Sequence, residues 1–245
     1  MHNFNNKTLT EFIRSQINSD IITGIFKPGQ KLSIKLLTQH YNTGSSPIRE
    51  ALSRLVATGM IVSLGQKGFY TPSINLADFK SLATAYQALA IHTFNNLATL
   101  EKTEALKKLD LLENWQNHKD KSPHLWVSTI QGFYEELAAT CSSTYLYNYY
   151  MQLAQHIERY QHQIIIFNNT TEINLRPIRE RQIMQAIEKK DWYQTKEIIA
   201  KTQQKTLDTI KTQLDKMILP VSTGASAELE SNLHQSPFAW QTTSC

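Results

Sequence analysis

The residues best suited to chemistry are cations set beside helix and turn punctuation. In Ser46-Pro47-Ile48-Arg49-Glu50-Ala51-Leu52-Ser53-Arg54-Leu55, the apolar residues Ile48, Ala51, Leu52, Leu55 and Val56 follow the i, i+3, i+4, i+7, i+8 pattern of a helix with one buried face. Arg49 and Arg54 fall mostly off that stripe and are expected to face outward. Ser45 or Ser46 is expected to cap the helix, with Pro47 at its first position, where a missing N–H costs nothing. A capped helix start flanked by a cation presents N–H groups and a guanidinium to phosphates or base edges. Lys67 lies in Gly65-Gln66-Lys67-Gly68, a turn between the strand-like runs Met60-Ile61-Val62-Ser63-Leu64 and Phe69-Tyr70-Thr71. Flanking glycines let such a tip approach a groove closely. For Arg49 a solvated or ion-paired surface role stands beside the functional one, because Glu50 and Glu11 are available as partners.

The elements that must hold these side chains are legible upstream. Leu9, Ile13, Ile17 and Ile21, with Phe12 beside them, form one helical stripe. Gly24-Ile25-Phe26-Lys27-Pro28-Gly29 ends that helix in a turn. Ser33 is placed to cap a short second helix with Leu32, Leu36 and Leu37 facing inward, and Tyr41-Asn42-Thr43-Gly44 is a tight turn before the third. Three short helices and a hairpin make the order of a winged helix-turn-helix. Charge agrees: residues 1–75 hold eight basic and three acidic side chains, a local charge of +5, while the remainder sums to −1 of the total +4. This points to a polyanion-binding module joined to a neutral one.

Three motifs, in order, carry a family resemblance. Gly24-Ile25-Phe26-Lys27-Pro28-Gly29-Gln30-Lys31-Leu32 resembles the G-x-[FY]-x-P-G-x-x-L signature of GntR regulators. The stretch from Ser46 to Leu55 resembles their [ST]-P-[VI]-R-E-A-L-x-x-L recognition helix, and Gln66-Lys67-Gly68-Phe69-Tyr70 resembles their wing. The resemblance implies DNA contacts from Lys35, Ser45, Ser46, Arg49 and Gly68, to which Arg54 and Lys67 are added as outward cations. One departure stands out: the family commonly has Ser-Arg-[ST]-Pro before the recognition helix, and here the stretch is Gly44-Ser45-Ser46-Pro47, so the usual arginine is Ser45.

The rest of the chain reads as about six helices, over 77–95, 101–117, 126–140, 145–167, 172–189 and 191–216. The expected fold is therefore all-α with a small β-hairpin wing, divided into a winged helix-turn-helix domain (1–75), an antiparallel helical bundle (76–217) and a polar, disordered tail (218–245) holding an isolated Phe238-Ala239-Trp240. The bundle resembles the FCD (FadR-like C-terminal domain) branch of the family through Phe133-Tyr134-Glu135-Glu136-Leu137 and the stretch from Arg181 to Asp191. That branch implies a homodimer, an effector such as a small organic acid, and often a divalent metal held by one aspartate and three histidines. Aligned on Phe133 and Asp191, those ligand positions are Ile130, Tyr134, Glu180 and Thr202, so no metal of the family type is expected. Tyr86, His92, Tyr134 and Arg159 are the candidate ligand-binding polar residues, and Arg176, Arg179 and Arg181 form a basic cluster with a solvated face as its plain reading.

Other classes find little support. No Gly-rich phosphate loop, G-x-S-x-G elbow, H-E-x-x-H pair or paired-cysteine motif is present, so an enzyme is not expected, nor is a cofactor. Cys141 and Cys245 have no framework spacing, no apolar run is long enough for a bilayer, and the first ten residues carry no apolar signal region. A cytoplasmic protein on nucleoid DNA is the expectation. Two accounts of its control stay open: a repressor modulated by a ligand, or a ligand-independent architectural regulator whose sensor pocket has degenerated.

Overall fold

The computed structural model describes residues 8–100, 102–117, 122–169 and 177–218. The chain begins with α1 (Leu9–Ile22), whose cap Thr8 accepts a hydrogen bond from the Glu11 amide. It continues through β1 (Lys31–Leu32), α2 (Ile34–His40), α3 (Ser45–Ala57), β2 (Val62–Ser63) and β3 (Phe69–Tyr70). Ile13, Ile17 and Ile21 of α1 meet Leu37 of α2 and Ile48, Ala51, Leu52 and Leu55 of α3 in one cluster of buried side chains. The 3.6-residue periodicity of α1 and α3 is thus realised as burial.

Several local expectations are corrected. Leu9 and Phe12 are exposed, because α1 turns that end of its stripe past the edge of the cluster. Leu36 is 64% exposed, since α2 is too short to bury more than Leu37 and the partly covered Ile34. Neither Ser45 nor Ser46 caps α3: Gly44 is the extended residue before it, Ser45 and Ser46 are already helical, and Pro47 is therefore the third helical residue. Ser33 precedes α2 without a side-chain cap bond. The wing is also more than a hairpin. β3 pairs antiparallel with β2 on one side and with β1 on the other, in registers Val62–Tyr70 and Lys31–Tyr70. Thr71 locks the added strand, its Oγ1 donating to Lys27 O at 2.5 Å and accepting from the Gln30 amide at 2.9 Å.

Six α-helices follow among the described residues: α4 (Leu76–Thr93), α5 (Lys102–Glu113), α6 (Pro123–Ala138), α7 (Thr144–Phe167), α8 (Ile178–Glu188) and α9 (Trp192–Ile218). Side-chain caps set three of their starts, Asn75 for α4, Ser122 for α6 and Ser143 for α7. α4 packs on α7 and α9, α6 on α5 and α7, and α8 on α9. Their inner faces gather Phe79, Tyr86, Phe133, Tyr150, Ile157, Tyr160, Ile183, Ile199 and Leu214 into a second, larger buried cluster. The expected helix over 172–189 is described from Ile178, and the region 170–176 with Arg176, like the tail beyond Ile218, lies outside the described residues.

The two clusters meet along α7. Gln152 Nε2 and His156 Nε2 both reach the carbonyl oxygen of Thr58, at 3.1 and 3.0 Å, just past the end of α3. Asn18 of α1 donates to Gln155 Oε1 at 3.2 Å. Gly24 (φ +82°) lies so close to α7 that a Cβ there would stand 2.4 Å from Ile166 Cδ1 and 2.8 Å from Gln163 Nε2. The connection from β3 to α4 is held too: Arg159 donates to Pro72 O and Tyr160 to Asn75 O, each at 3.2 Å.

Candidate nucleic-acid interface and cavity

The outward cations differ in what they are tied to. Arg54 donates to Glu50 at 2.7 Å and stands 3.6 Å from Glu11, which also binds Arg14. Arg49 is exposed and makes no ion pair or hydrogen bond with any described residue. Ser45, Ser46 and Arg49 share one helical face by their i, i+3 and i+4 spacing, and all three are exposed. Lys35 is exposed on α2. At the wing tip, residues Gly65–Lys67 form one tight turn closed by the Leu64 amide donating to Gly68 O at 2.9 Å. Gly68 adopts φ +99°, a conformation open to glycine but costly for other residues, which leaves Lys67 on an exposed tip. Lys31 lies 5.9 Å above the Tyr70 ring and beside Gly68, adding a further cation to the wing that the sequence pattern alone did not single out.

The four bundle residues expected to share a pocket divide. Tyr86 and Tyr134 are buried and line one small interior space between α4, α6, α7 and α9. Tyr86 stacks on Tyr150 with ring centroids 5.0 Å apart, and their hydroxyls stand 2.8 Å from each other. Gln203 Nε2 donates to both, at 3.2 and 2.9 Å. Burial pushes the Tyr86 phenol up to about 12, so it remains neutral at physiological pH. His92 and Arg159 do not join this space. His92 is exposed in the last turn of α4, and Arg159 donates through Nη1 to Pro72 O and lies over the face of Tyr160, 4.8 Å away, its buried Nε having no hydrogen-bond partner among the described residues. Its buried guanidinium secures the inter-cluster connection, which corrects the expectation for both residues.

Ile130, Tyr134, Glu180 and Thr202, spread over three helices, line a single cavity of about 550 Å³. Its walls are largely apolar, with Trp126, Ile164, Ile165 and Ile210, and its volume lies within the roughly 300–1,000 Å³ of ordinary ligand sites. Tyr134 donates to Glu180 Oε1 at 3.3 Å, and burial raises the Glu180 carboxyl above the ordinary carboxylate range. One carboxylate, a phenol, a hydroxyl and an isoleucine do not make a donor set for a divalent metal. Among the described residues no group of three or more His, Cys, Asp or Glu is placed to hold one. Missed in the sequence were Glu180 as a cavity group in its own right, Gln203, and the junction residues Gln152 and His156. His162 was also missed: fully buried, it sets its Nδ1 2.6 Å from that of His124 and its Nε2 3.5 Å from Glu158.

Comparison with known proteins agrees with the first domain's geometry. Residues 9–71 match the model of the bacterial regulatory proteins of the gntR family. The chain is 28% identical over 174 residues to the HTH-type transcriptional regulator BphR of Paraburkholderia xenovorans, covering 67% of this chain and 70% of that one. It is 31% identical over 144 residues to the HTH-type transcriptional repressor GlaR of Escherichia coli, covering 53% of this chain and 62% of that one. Among solved structures, E. coli McbR/YncC superposes with a TM-score of 0.68 at 19% identity, over 85% of this chain and 99% of that one. A putative transcriptional regulator GntR from Rhodococcus sp. RHA1 superposes with a TM-score of 0.65 at 16% identity, over 82% and 96%. These two likenesses speak for the fold. The curated relatives are regulators of transcription, not enzymes. On these residues and this fold, residues 9–71 carry the helix-turn-helix domain of the gntR family of bacterial regulatory proteins.

Proposed function

We propose that the protein is a cytoplasmic repressor that binds a pseudo-palindromic operator as a homodimer. In this reading residues 1–75 form the DNA-binding domain and residues 76–217 an FCD-like bundle that dimerises. The observation that carries the reading is the exposed Arg49, unpaired among the described residues, on the same helical face as Ser45 and Ser46, at the start of α3. Lys35, Lys67 and Gly68 complete the contact set, phosphates being met by the cations and backbone while Arg49 reads a base edge. Arg54, tied to Glu50 and Glu11, holds α3 against α1 and adds positive potential. The sign of regulation follows the E. coli relative named a repressor.

The cavity between α6, α7, α8 and α9 supports a small-molecule effector over the ligand-independent alternative, because a degenerate pocket would be expected to fill with side chains. The organic acid expected from the family resemblance would lack the metal that commonly receives it. An effector would act by binding one arrangement of the two reading heads more tightly than the other. Fluorescence anisotropy with DNA from upstream of the protein's own gene, against random DNA across a salt series, tests the reading. Selective binding with a steep salt slope is expected. Folded protein with no salt-dependent DNA binding would overturn it.

A further inference from the structure

The polar wall of the 550 Å³ cavity sets a carboxylate and three threonine hydroxyls of α8 and α9 beside the donors Arg179, Gln161 and Gln182. Thr202 Oγ1 donates its proton to Ile198 O at 2.8 Å, Thr206 Oγ1 to Thr202 O at 3.1 Å, and Thr209 Oγ1 to Lys205 O at 2.8 Å. A hydroxyl has one proton, so these three, on successive turns of α9, offer the cavity only lone pairs. Beside them stands Glu180, 6% exposed, whose Oε1 accepts a hydrogen bond from the Tyr134 hydroxyl and which forms no ion pair with any described residue. Tyr134 is thereby used up as a donor. A buried carboxylate needs a cation or several donors to offset its lost hydration. Arg179 lines the same cavity, half-buried, and its charge already acts on Glu180 without closing to an ion pair.

We propose that the cavity binds, without a metal, a largely apolar molecule bearing a protonated amine, its N–H groups donated to Glu180 and to the threonine oxygens of α9. The apolar remainder would lie against Trp126, Ile130, Ile164 and Ile210. The inference rests on reading this cavity as the effector site, and it replaces an acid held through a metal with a cation held by the protein's own carboxylate.

Isothermal titration calorimetry on the full chain tests it, with phenethylamine and octylamine set against their near-isosteric acids, phenylpropionate and nonanoate, with and without a chelator. The expected result is amine affinity at least tenfold above that of the matched acid and unchanged by the chelator. Glu180→Gln should erase that preference at unchanged circular dichroism. Thr206→Val, a near-isosteric change that removes one acceptor, should weaken the amine two- to fivefold and provides the test if the first variant does not fold. Equal or tighter binding of the acids (the outcome if Arg179 at the rim dominates), a need for divalent metal, or binding of neither series would overturn the proposal. Operator binding by the ligand-free protein is measured alongside. DNA binding without amine preference removes the ligand class and leaves the regulator, and amine binding without DNA binding does the reverse.

Discussion

At the scale of single residues, the contrast between Arg49 and Arg54 decides what each substitution should do. Arg49 has no partner within the described protein, so Arg49→Ala should leave thermal stability unchanged. It should weaken operator binding by about 1–3 kcal/mol, the usual worth of a specific arginine contact to a base, read by anisotropy against a matched non-operator DNA. Arg54→Ala breaks exposed ion pairs to Glu50 and Glu11, worth at most about 1 kcal/mol, and should lower Tm slightly with a smaller effect on DNA. Ser45 stands where the family commonly carries an arginine. Ser45→Arg should therefore tighten DNA binding and steepen its salt dependence by about 0.9 in the log–log slope if the new cation meets a phosphate, and shift the preferred operator if it meets a base. The amphipathic stripe of α3 made the outward position of Arg49 readable from the sequence. The ion pairs of Arg54 were not readable, because Glu11 reaches it from another helix.

At the scale of elements, α7 does two jobs with adjacent residues. Gln161, Ile164 and Ile165 face the cavity, while Gln152, His156, Gln163 and Ile166 meet the first domain at Thr58 and Gly24. Any ligand that moves α7 thus moves the contact that holds α3. His156 gives this junction a pH dependence of definite sign. Burial lowers its pKa, with Arg159 adding repulsion, and its hydrogen bond to the Thr58 carbonyl opposes them only in part. A depressed pKa means the folded state resists the proton, so stability is full above the unfolded value near 6.5 and is lost as pH falls below it. His124 is depressed in the same sense by burial and by His162, so the wild type alone does not isolate the junction. His156→Gln, which keeps a donor but does not titrate, should lose less Tm than the wild type between pH 8 and pH 5, as followed by circular dichroism. This junction left no mark in the sequence, because its acceptor is a backbone carbonyl. The wing shows the same limit: its glycine turn was legible, but β1 has only two residues, too few for an alternating pattern. The gathering of Ile130, Tyr134, Glu180 and Thr202 around one cavity came from aligning motifs, since periodicity within single helices does not say which helices meet.

At the scale of the whole molecule, one winged helix-turn-helix is a small reading head, and affinity for a long site has to come from joining two. A dimer turns the second head's binding into an intramolecular event at high effective concentration, which adds about two to four orders of magnitude without any new contact. The geometry then fixes the DNA. In the proposed dimer, two-fold symmetry would require inverted half-sites, and heads held rigidly on α7 would require them on one face of the duplex. The hydrogen bonds at Thr58 and the close approach at Gly24 argue for that rigidity, because each would have to break for a head to swing free. Inserting about five base pairs between the half-sites turns one of them to the opposite face and should reduce affinity to nearly that of a single half-site. Inserting about ten restores the face but lengthens the span by one helical turn, so binding should recover only as far as the junction along α7 yields. Gly24→Ala, which drives a methyl into Ile166 at a left-handed backbone position, should loosen that junction. In this variant the penalty for the longer spacer should shrink while binding to the native spacing weakens. Equal penalties in the wild type and Gly24→Ala, measured by anisotropy on the three operators, would mean that the heads are oriented by something other than the contact with α7.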